Sequence, residues 1–144
     1  MPATAIAPGT AIGGGFLLTE NAPEQVFTPE DFTELQQDIA RTTAEFFAKE
    51  VAPNLEAIQH QQPGVAVRIL RKSAEVGLTA VVVPERFGGM EMDLTSALIV
   101  AENLAKDASY SVWHGAHTGI GTLPLLLFGT EAQKAKYLPK LASA

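Results

Sequence analysis

Apolar side chains recur at helical spacing along most of this chain. From Leu35 to Val51 they lie three or four positions apart, which indicates an amphipathic helix. Further helical segments, bounded by proline, glycine or capping residues, are expected over 54–62, 65–76, 93–106, 108–128 and 130–137. The run Leu78–Val83 is rich in valine, but a lone strand has nothing to pair with, so Val81–Pro84 is expected to be a buried extended connection. The pattern predicts an all-α fold, an orthogonal or up-down bundle of about six helices with no significant sheet.

Several residues fit the ends of these helices. Asp93 is expected to cap the helix that follows it, and Thr130 with Gln133 forms a capping box. Gly77 fits a left-handed C-terminal cap. Pro53 and Pro139 are expected to end their helices because proline lacks a backbone N–H.

The segment 108–128 contains no charged residue, and the prediction of a ligand pocket depends on it. Val112, Trp113, Ala116 and Ile120 fall along one stripe of a helix. Glycines within the same segment cost a helix about 1 kcal/mol each relative to alanine, which indicates that something lies close to the backbone. We interpret the segment as a central, buried helix with a shallow face that lines an apolar pocket. The same pattern also fits a helix that only packs in a core.

Composition narrows the function further. The 144 residues suit one domain, 47% of them are hydrophobic, and the formal charge is −6, which makes nucleic acid an unsuitable partner. There is no cysteine, so no disulfide or thiolate site is possible. Met1–Gly15 contains no basic residue and is interpreted as a flexible tail, with the cytoplasm as the expected location. Histidines, glycines and Pro124 argue against a membrane span over 108–128.

Four segments in order carry a family resemblance: FTPEDF (27–32), VPERFGG (83–89), GAHTGIGTLPLLLFGT (115–130) and EAQKAKYLPKLAS (131–143). Together they resemble the N-terminal helical domain of the acyl-CoA dehydrogenases over residues 16–144, and the third segment most resembles the long-chain and very-long-chain branch. The family's β-domain and C-terminal helical domain are absent from this sequence.

The resemblance implies an FAD-dependent α,β-dehydrogenation of fatty acyl-CoA in β-oxidation, with an electron-transferring flavoprotein as acceptor and a homo-oligomeric full-length enzyme. The family's flavin site and catalytic glutamate lie in the absent domains. We therefore expect this chain alone to be inactive and to hold no catalytic, cofactor-binding or metal-binding residue. Two alternatives stay open, an acyl-CoA oxidase domain and a non-catalytic helical interaction module.

The resemblance also assigns a wall of the acyl-chain pocket to the central helix, with Val112, Trp113, Ala116 and Ile120 as substrate-binding residues. The small Gly115 and Ala116 favour longer chains, whereas Trp113 acts in the opposite direction. His114 and His117 stand three apart, a spacing that can hold a metal, but no third ligand is evident. Glu102 is interpreted as a solvated or salt-bridged side chain.

Overall fold

The computed structural model describes residues 17, 20, 22 and 26–144, which divide into two units at Thr33 and Glu34. The predicted tail, Met1–Gly15, lies outside the described residues. The first unit contains a 3₁₀ helix, Pro29–Asp31, with proline at its start. The Thr28 amide donates to Asp31 Oδ2 at 2.8 Å, and the rings of Phe27 and Phe32 lie 5.8 Å apart. An aromatic contact thus brackets this helical turn.

The second unit is built from helices. They are α1 (Glu34–Phe46), α2 (Leu55–Gln59), α3 (Val65–Glu75), α4 (Leu94–Leu104), α5 (Ala108–Gly115), α6 (Leu123–Phe128) and α7 (Glu131–Ala142). A π-helical segment, Ala116–Thr122, joins α5 to α6, so that 108–128 is one helical rod as predicted. The described part of the chain contains no β-strand, which confirms the all-α fold class.

Both π-helical segments of the described chain end two residues before a proline. The first, Phe47–Val51, precedes Pro53, and the second precedes Pro124. A proline ring clashes with the carbonyl four residues earlier and offers it no N–H. Those carbonyls belong to Lys49 and Ile120, inside the π segments. The wider π turn therefore lets the chain remain helical at Pro53, and the expectation that Pro53 ends the helical run is wrong: a 3₁₀ turn, Ala52–Asn54, leads directly into α2.

Pro139 also fails to end its helix. Helix α7 continues through it to Ala142, and the Ser143 amide donates to the Pro139 carbonyl at 3.2 Å. The missing N–H removes one helical hydrogen bond. Burial on both sides of the proline offsets that loss, because Leu138 is fully buried and Ala142 nearly so.

The helix caps agree with their predictions better than the prolines do. Asp93 accepts a hydrogen bond from the Ser96 amide at 2.8 Å, Thr130 and Gln133 form their capping box, and Gly77 has φ +82°. These predictions are confirmed. Asp107 is an additional cap: its carboxylate accepts from the amides of Ser109 and Tyr110, and it starts α5.

The segment expected to be extended, Val81–Pro84, is instead a series of turns up to Val83, and most of Leu78–Val83 is buried. It forms consecutive turns, in which the Val83 amide donates to the Ala80 carbonyl at 3.1 Å. The returning chain completes the hydrogen bonding, because the amides of Met90 and Met92 donate to the carbonyls of Ala80 and Val81. Satisfied carbonyls allow valine-rich backbone to be buried without a sheet.

The core joins these turns to the end of the chain. Val83, Phe87 and Leu138 are buried together, with Ala80 and Ala142 beside them. A second part of the core surrounds Tyr110, which is fully buried and whose ring lies 6.2 Å from that of Phe46. The turns, α4 and α5 line the region where the candidate site lies, and α7 packs against the turns. Among the described residues, no helix is long and apolar enough to cross a membrane.

Candidate functional site

An apolar groove lies between α4 and the central rod, with the turns after α3 at its base. Its volume is about 250 Å³. The turns contribute Leu78, Thr79, Val81 and Val82; α4 contributes Leu94, Ala97, Leu98, Val100, Ala101 and Leu104; the rod contributes Ser111, His114, Gly115, Thr118, Gly119 and Leu123. Aliphatic side chains and a few polar groups are the usual composition of a small-molecule site.

Helix α4 has two apolar faces. Its core face buries Ile99, Val100 and Leu104, each at most 3% exposed. Leu94 and Leu98 lie on the groove and remain more than 60% exposed. The residues 94, 97, 98, 101 and 104 have the spacing of a single helical face, and the structure divides them between core and groove. Exposed leucines beside a groove indicate a surface that a ligand or a protein segment can cover.

The glycines of the rod leave room in the groove. Gly115 and Gly119 both line it, and a Cβ placed on either would meet no atom within 4 Å. Within the described chain, therefore, nothing packs closely against these two glycines. The space belongs to the groove.

His114 is the buried polar group of this groove. Its side chain is 5% exposed, and its Nε2 has no hydrogen-bond partner among the described residues. Burial lowers the pKa of His114 to about 4, with a smaller contribution in the same direction from His117, and a hydrogen bond to the Leu78 backbone opposes the shift. The imidazole is therefore neutral at pH 7.

Tyr110 lies one turn before His114 on α5, and the two ring centroids are 6.3 Å apart. Burial raises the pKa of Tyr110 to about 12, with neighbouring Ser73 acting in the opposite direction. The Ser73 hydroxyl itself donates to the Leu70 carbonyl at 2.7 Å, and the Tyr110 hydroxyl has no partner within the described chain. Both side chains thus place a neutral polar group in apolar surroundings.

The four predicted substrate-binding residues lie elsewhere on the rod. Val112, Trp113 and Ile120 are 67%, 45% and 80% exposed, Ala116 is also exposed, and none of the four lines the groove. The expectation of a buried central helix is therefore wrong for this stripe. The buried residues of 108–128 are Tyr110, His114 and Thr122. The sequence did not reveal this inward face because it carries polar groups in place of the aliphatic residues that usually mark a core face. The acyl-binding role of the stripe stays a prediction.

The two histidines of the rod have separate surroundings. His117 Nε2 lies 2.7 Å from the Leu141 carbonyl oxygen and ties the rod to α7, whereas His114 faces the Leu78 backbone. The described residues contain no group of three or more side chains able to hold a metal ion. Glu102 is exposed on α4.

Comparison with known proteins places the chain in a family. Residues 33–144 match the family model for the acyl-CoA dehydrogenase N-terminal domain. A probable acyl-CoA dehydrogenase of Bacillus subtilis is 44% identical over 131 residues, covering 91% of this chain and 22% of the relative. The mitochondrial very long-chain specific acyl-CoA dehydrogenase of Rattus norvegicus is 32% identical over 99% of this chain and 22% of its own length.

A solved structure agrees with these relatives. The Bacillus anthracis acyl-CoA dehydrogenase, crystallised in complex with FAD, superposes with a TM-score of 0.84 at 45% identity, covering 90% of this chain and 23% of the larger one. The chain thus spans less than a quarter of the length of these three relatives. The match includes α1 through α7, the groove and the whole rod. The chain therefore belongs to the acyl-CoA dehydrogenase family, of which it carries the N-terminal domain.

Proposed function

We propose that this domain, as part of a longer FAD-dependent acyl-CoA dehydrogenase, forms one wall of the pocket for the fatty acyl chain. The wall is the exposed stripe of the rod, defined by Val112, Trp113, Ala116 and Ile120. The observation that carries the proposal is the exposure of this stripe on an ordered helix whose other side is anchored in the core. Contiguous exposed apolar side chains mark a surface that another molecule or domain covers.

The π segment supports this assignment. A π turn, with its i to i+5 hydrogen bonds, holds more residues than the 3.6 of an α-helix. Residues four apart therefore stay on one side of the rod instead of drifting around it. Ala116 and Ile120 have this spacing within the π segment, and Val112 stands four residues earlier, in α5. An apolar row of this kind suits an extended aliphatic chain.

The proposed reaction introduces a double bond between the α and β carbons of an acyl-CoA thioester, the activity of the family. In the full-length enzyme, the family's glutamate would serve as the base for the α proton, and FAD, when bound, would supply the hydride-accepting chemistry. Pockets that hold drug-sized ligands have volumes of roughly 300–1,000 Å³. The groove, at about 250 Å³, does not fit FAD, which is larger than such ligands. This domain's own contribution is then to orient the acyl chain and exclude water from it.

The remaining features of the function are part of the same proposal. The similarity to the rat very long-chain enzyme supports a long acyl substrate, as does the small side chain of Ala116, whereas Trp113 shortens the available space; Gly115, the other small residue predicted to favour longer chains, lines the groove instead. We further propose an electron-transferring flavoprotein as electron acceptor, a homo-oligomeric full-length enzyme, a place in β-oxidation, and a cytoplasmic location.

A chimera tests the proposal. Residues 33–144 of this chain replace the corresponding domain of the Bacillus subtilis relative, and acyl-CoA dehydrogenation is followed with a dye as electron acceptor. We expect activity, and we expect Ala116→Glu to lower kcat/KM for a long-chain acyl-CoA at least roughly tenfold, because a carboxylate would enter an apolar pocket. Ala135→Glu is the matched control, since Ala135 is an exposed alanine on α7.

The outcomes separate the alternatives. Equal kcat/KM for Ala116→Glu and Ala135→Glu would show that the stripe is not the acyl wall. A folded chimera that consumes oxygen and releases peroxide without the dye would favour the oxidase. A folded but inactive chimera would favour the interaction module.

A further inference from the structure

We propose that His117 is a positioning residue for acyl-chain selectivity: by binding the end of α7, it holds Ala116 and Ile120 in place on the proposed acyl wall. The inference rests on the function proposed above and deepens it. His117 takes no part in the proton and hydride transfers, and it acts through the two stripe residues beside it.

The part of the rod that has to be held is its π segment, Ala116–Thr122. Thr122 is the buried residue among the seven of this segment. Ile120, its one large aliphatic residue, is 80% exposed, and a Cβ placed on Gly119 would meet no atom within 4 Å. Apolar packing within the described chain therefore does little to fix the position of the segment.

Hydrogen bonds fix the segment instead. The Thr122 hydroxyl donates to the His117 carbonyl at 2.8 Å, and the Thr118 hydroxyl donates to the His114 carbonyl at 2.9 Å. Both of these bonds stay inside the rod. The His117 side chain reaches another element, since its Nε2 lies 2.7 Å from the Leu141 carbonyl oxygen in α7. His117 is thus bonded to the rod through its carbonyl and to α7 through its ring.

The partner of the ring is a carbonyl at the end of a helix. Helix α7 ends at Ala142, and the last carbonyls of a helix have no intrahelical N–H to accept from. A carbonyl oxygen only accepts, so the ring nitrogen that faces it carries the proton. The Thr79 hydroxyl donates to the next carbonyl, that of Ala142, at 2.7 Å. Side chains from the rod and from the turns therefore cap two consecutive carbonyls of α7.

The position of His117 in the sequence couples this cap to the stripe. Ala116 precedes His117, Ile120 follows it by about one helical turn, and both are exposed. Loss of the ring's bond would free the backbone that carries both residues. A long acyl chain buries more hydrocarbon against the wall than a shorter one and loses more when the wall moves. The effect should therefore fall on long substrates.

The test uses the chimera described above and compares hexadecanoyl-CoA with octanoyl-CoA. We expect His117→Ala to lower the long-to-short ratio of kcat/KM roughly three- to tenfold, the net worth of one hydrogen bond, mainly by raising KM for the long substrate. His117→Gln should restore the ratio, because its amide N–H can donate to the same carbonyl. Thr79→Val is the matched control, since it removes the neighbouring bond to α7 and not the bond from the rod. It should leave the ratio unchanged.

A measurement on the unmodified 144-residue chain does not depend on the folding of any variant. Long-range ¹H–¹⁵N spectra of the neutral His117 ring should place its proton on Nε2, because the Leu141 carbonyl can only accept. A neutral ring protonated on Nδ1 would lack this bond and would overturn the proposal.

The kinetic outcomes are equally decisive. An unchanged ratio in His117→Ala, no recovery in His117→Gln, or an equal fall in Thr79→Val would each overturn the positioning role. Ala116→Glu reports separately on the wall. If Ala116→Glu lowers kcat/KM while His117→Ala leaves the ratio unchanged, the wall stands and the role of His117 falls. If Ala116→Glu matches Ala135→Glu, the proposed function and the role of His117 fall together.

Discussion

The hydroxyl of Thr79 donates a hydrogen bond to the carbonyl of Ala142 at 2.7 Å, across 63 positions of sequence. Both residues are buried. Ala142 is the last residue of α7, so its carbonyl has no helical N–H to accept from. This bond adds to the core packing that joins the turns at the base of the groove to α7.

Thr79→Val is expected to destabilise the domain by about 1–3 kcal/mol, because it keeps the side-chain shape and leaves a buried carbonyl unsatisfied. Thr43→Val is the matched control. Thr43 is equally buried, but its hydroxyl donates to Ile39, whose carbonyl lies within α1 and can also accept from the helical amide. Urea unfolding of the two variants measures the difference, and equal losses would contradict the role assigned to Ala142.

The buried His114 predicts a loss of stability in mild acid. Its pKa is about 4 in the folded chain, against an ordinary value of 6.5. Between these values the unfolded chain binds a proton that the folded chain does not, so the free energy of unfolding falls as the pH is lowered from 6.5 to 4. The full loss is on the order of 3 kcal/mol, of which about 2 kcal/mol falls between pH 7 and 5.

Chemical denaturation at pH 7 and pH 5 measures this loss. His114→Leu should remove most of the pH dependence in that range, and His60→Leu should retain it. Asp93 and Asp107 have pKa values lowered by hydrogen bonds from Ser96 and Ser109. Their stabilisation is lost only below their ordinary value of 3.8, outside the measured range. A pH slope that persists in His114→Leu would refute the assignment.

The fold was largely accessible from sequence because its signals are local. Helical spacing, the Asp93 cap and the Thr130–Gln133 capping box each depend on residues within one or two turns. Pro139 shows where local rules end, since burial of Leu138 and Ala142 by distant segments keeps α7 helical beyond it. The π segments were likewise missed, because the relation between a π turn and a later proline is not a hydrophobic pattern.

The orientation of the rod could not be obtained from its sequence. Both of its faces are uncharged, so the spacing of Val112, Ala116 and Ile120 marks an apolar stripe without saying what covers it. The inward face instead carries Tyr110 and His114, whose polar side chains are more often found at exposed positions. The glycines of the rod were expected to let something lie close to the backbone, but nothing in the described chain lies within 4 Å of a Cβ placed at Gly115 or Gly119.

Gly89 is required by a close backbone approach. A Cβ at this position would lie 1.9 Å from the Val83 carbonyl oxygen, which accepts from the Glu91 amide at 2.9 Å. Gly89→Ala must therefore displace Val83, a fully buried residue, and we expect a loss of about 1–3 kcal/mol from this overpacking. Thermal unfolding measures it, with Gly115→Ala as the unhindered control. An unchanged Tm for Gly89→Ala would contradict the packing described here.

Gly115→Ala is expected to have the opposite effect on stability. The new methyl meets no atom within 4 Å, and alanine favours a helix over glycine by up to about 1 kcal/mol. We expect thermal unfolding to show a higher Tm for Gly115→Ala, and Gly119→Ala, which also meets no atom within 4 Å, should act in the same direction. A lower Tm for both variants would contradict the open space found beside these two glycines.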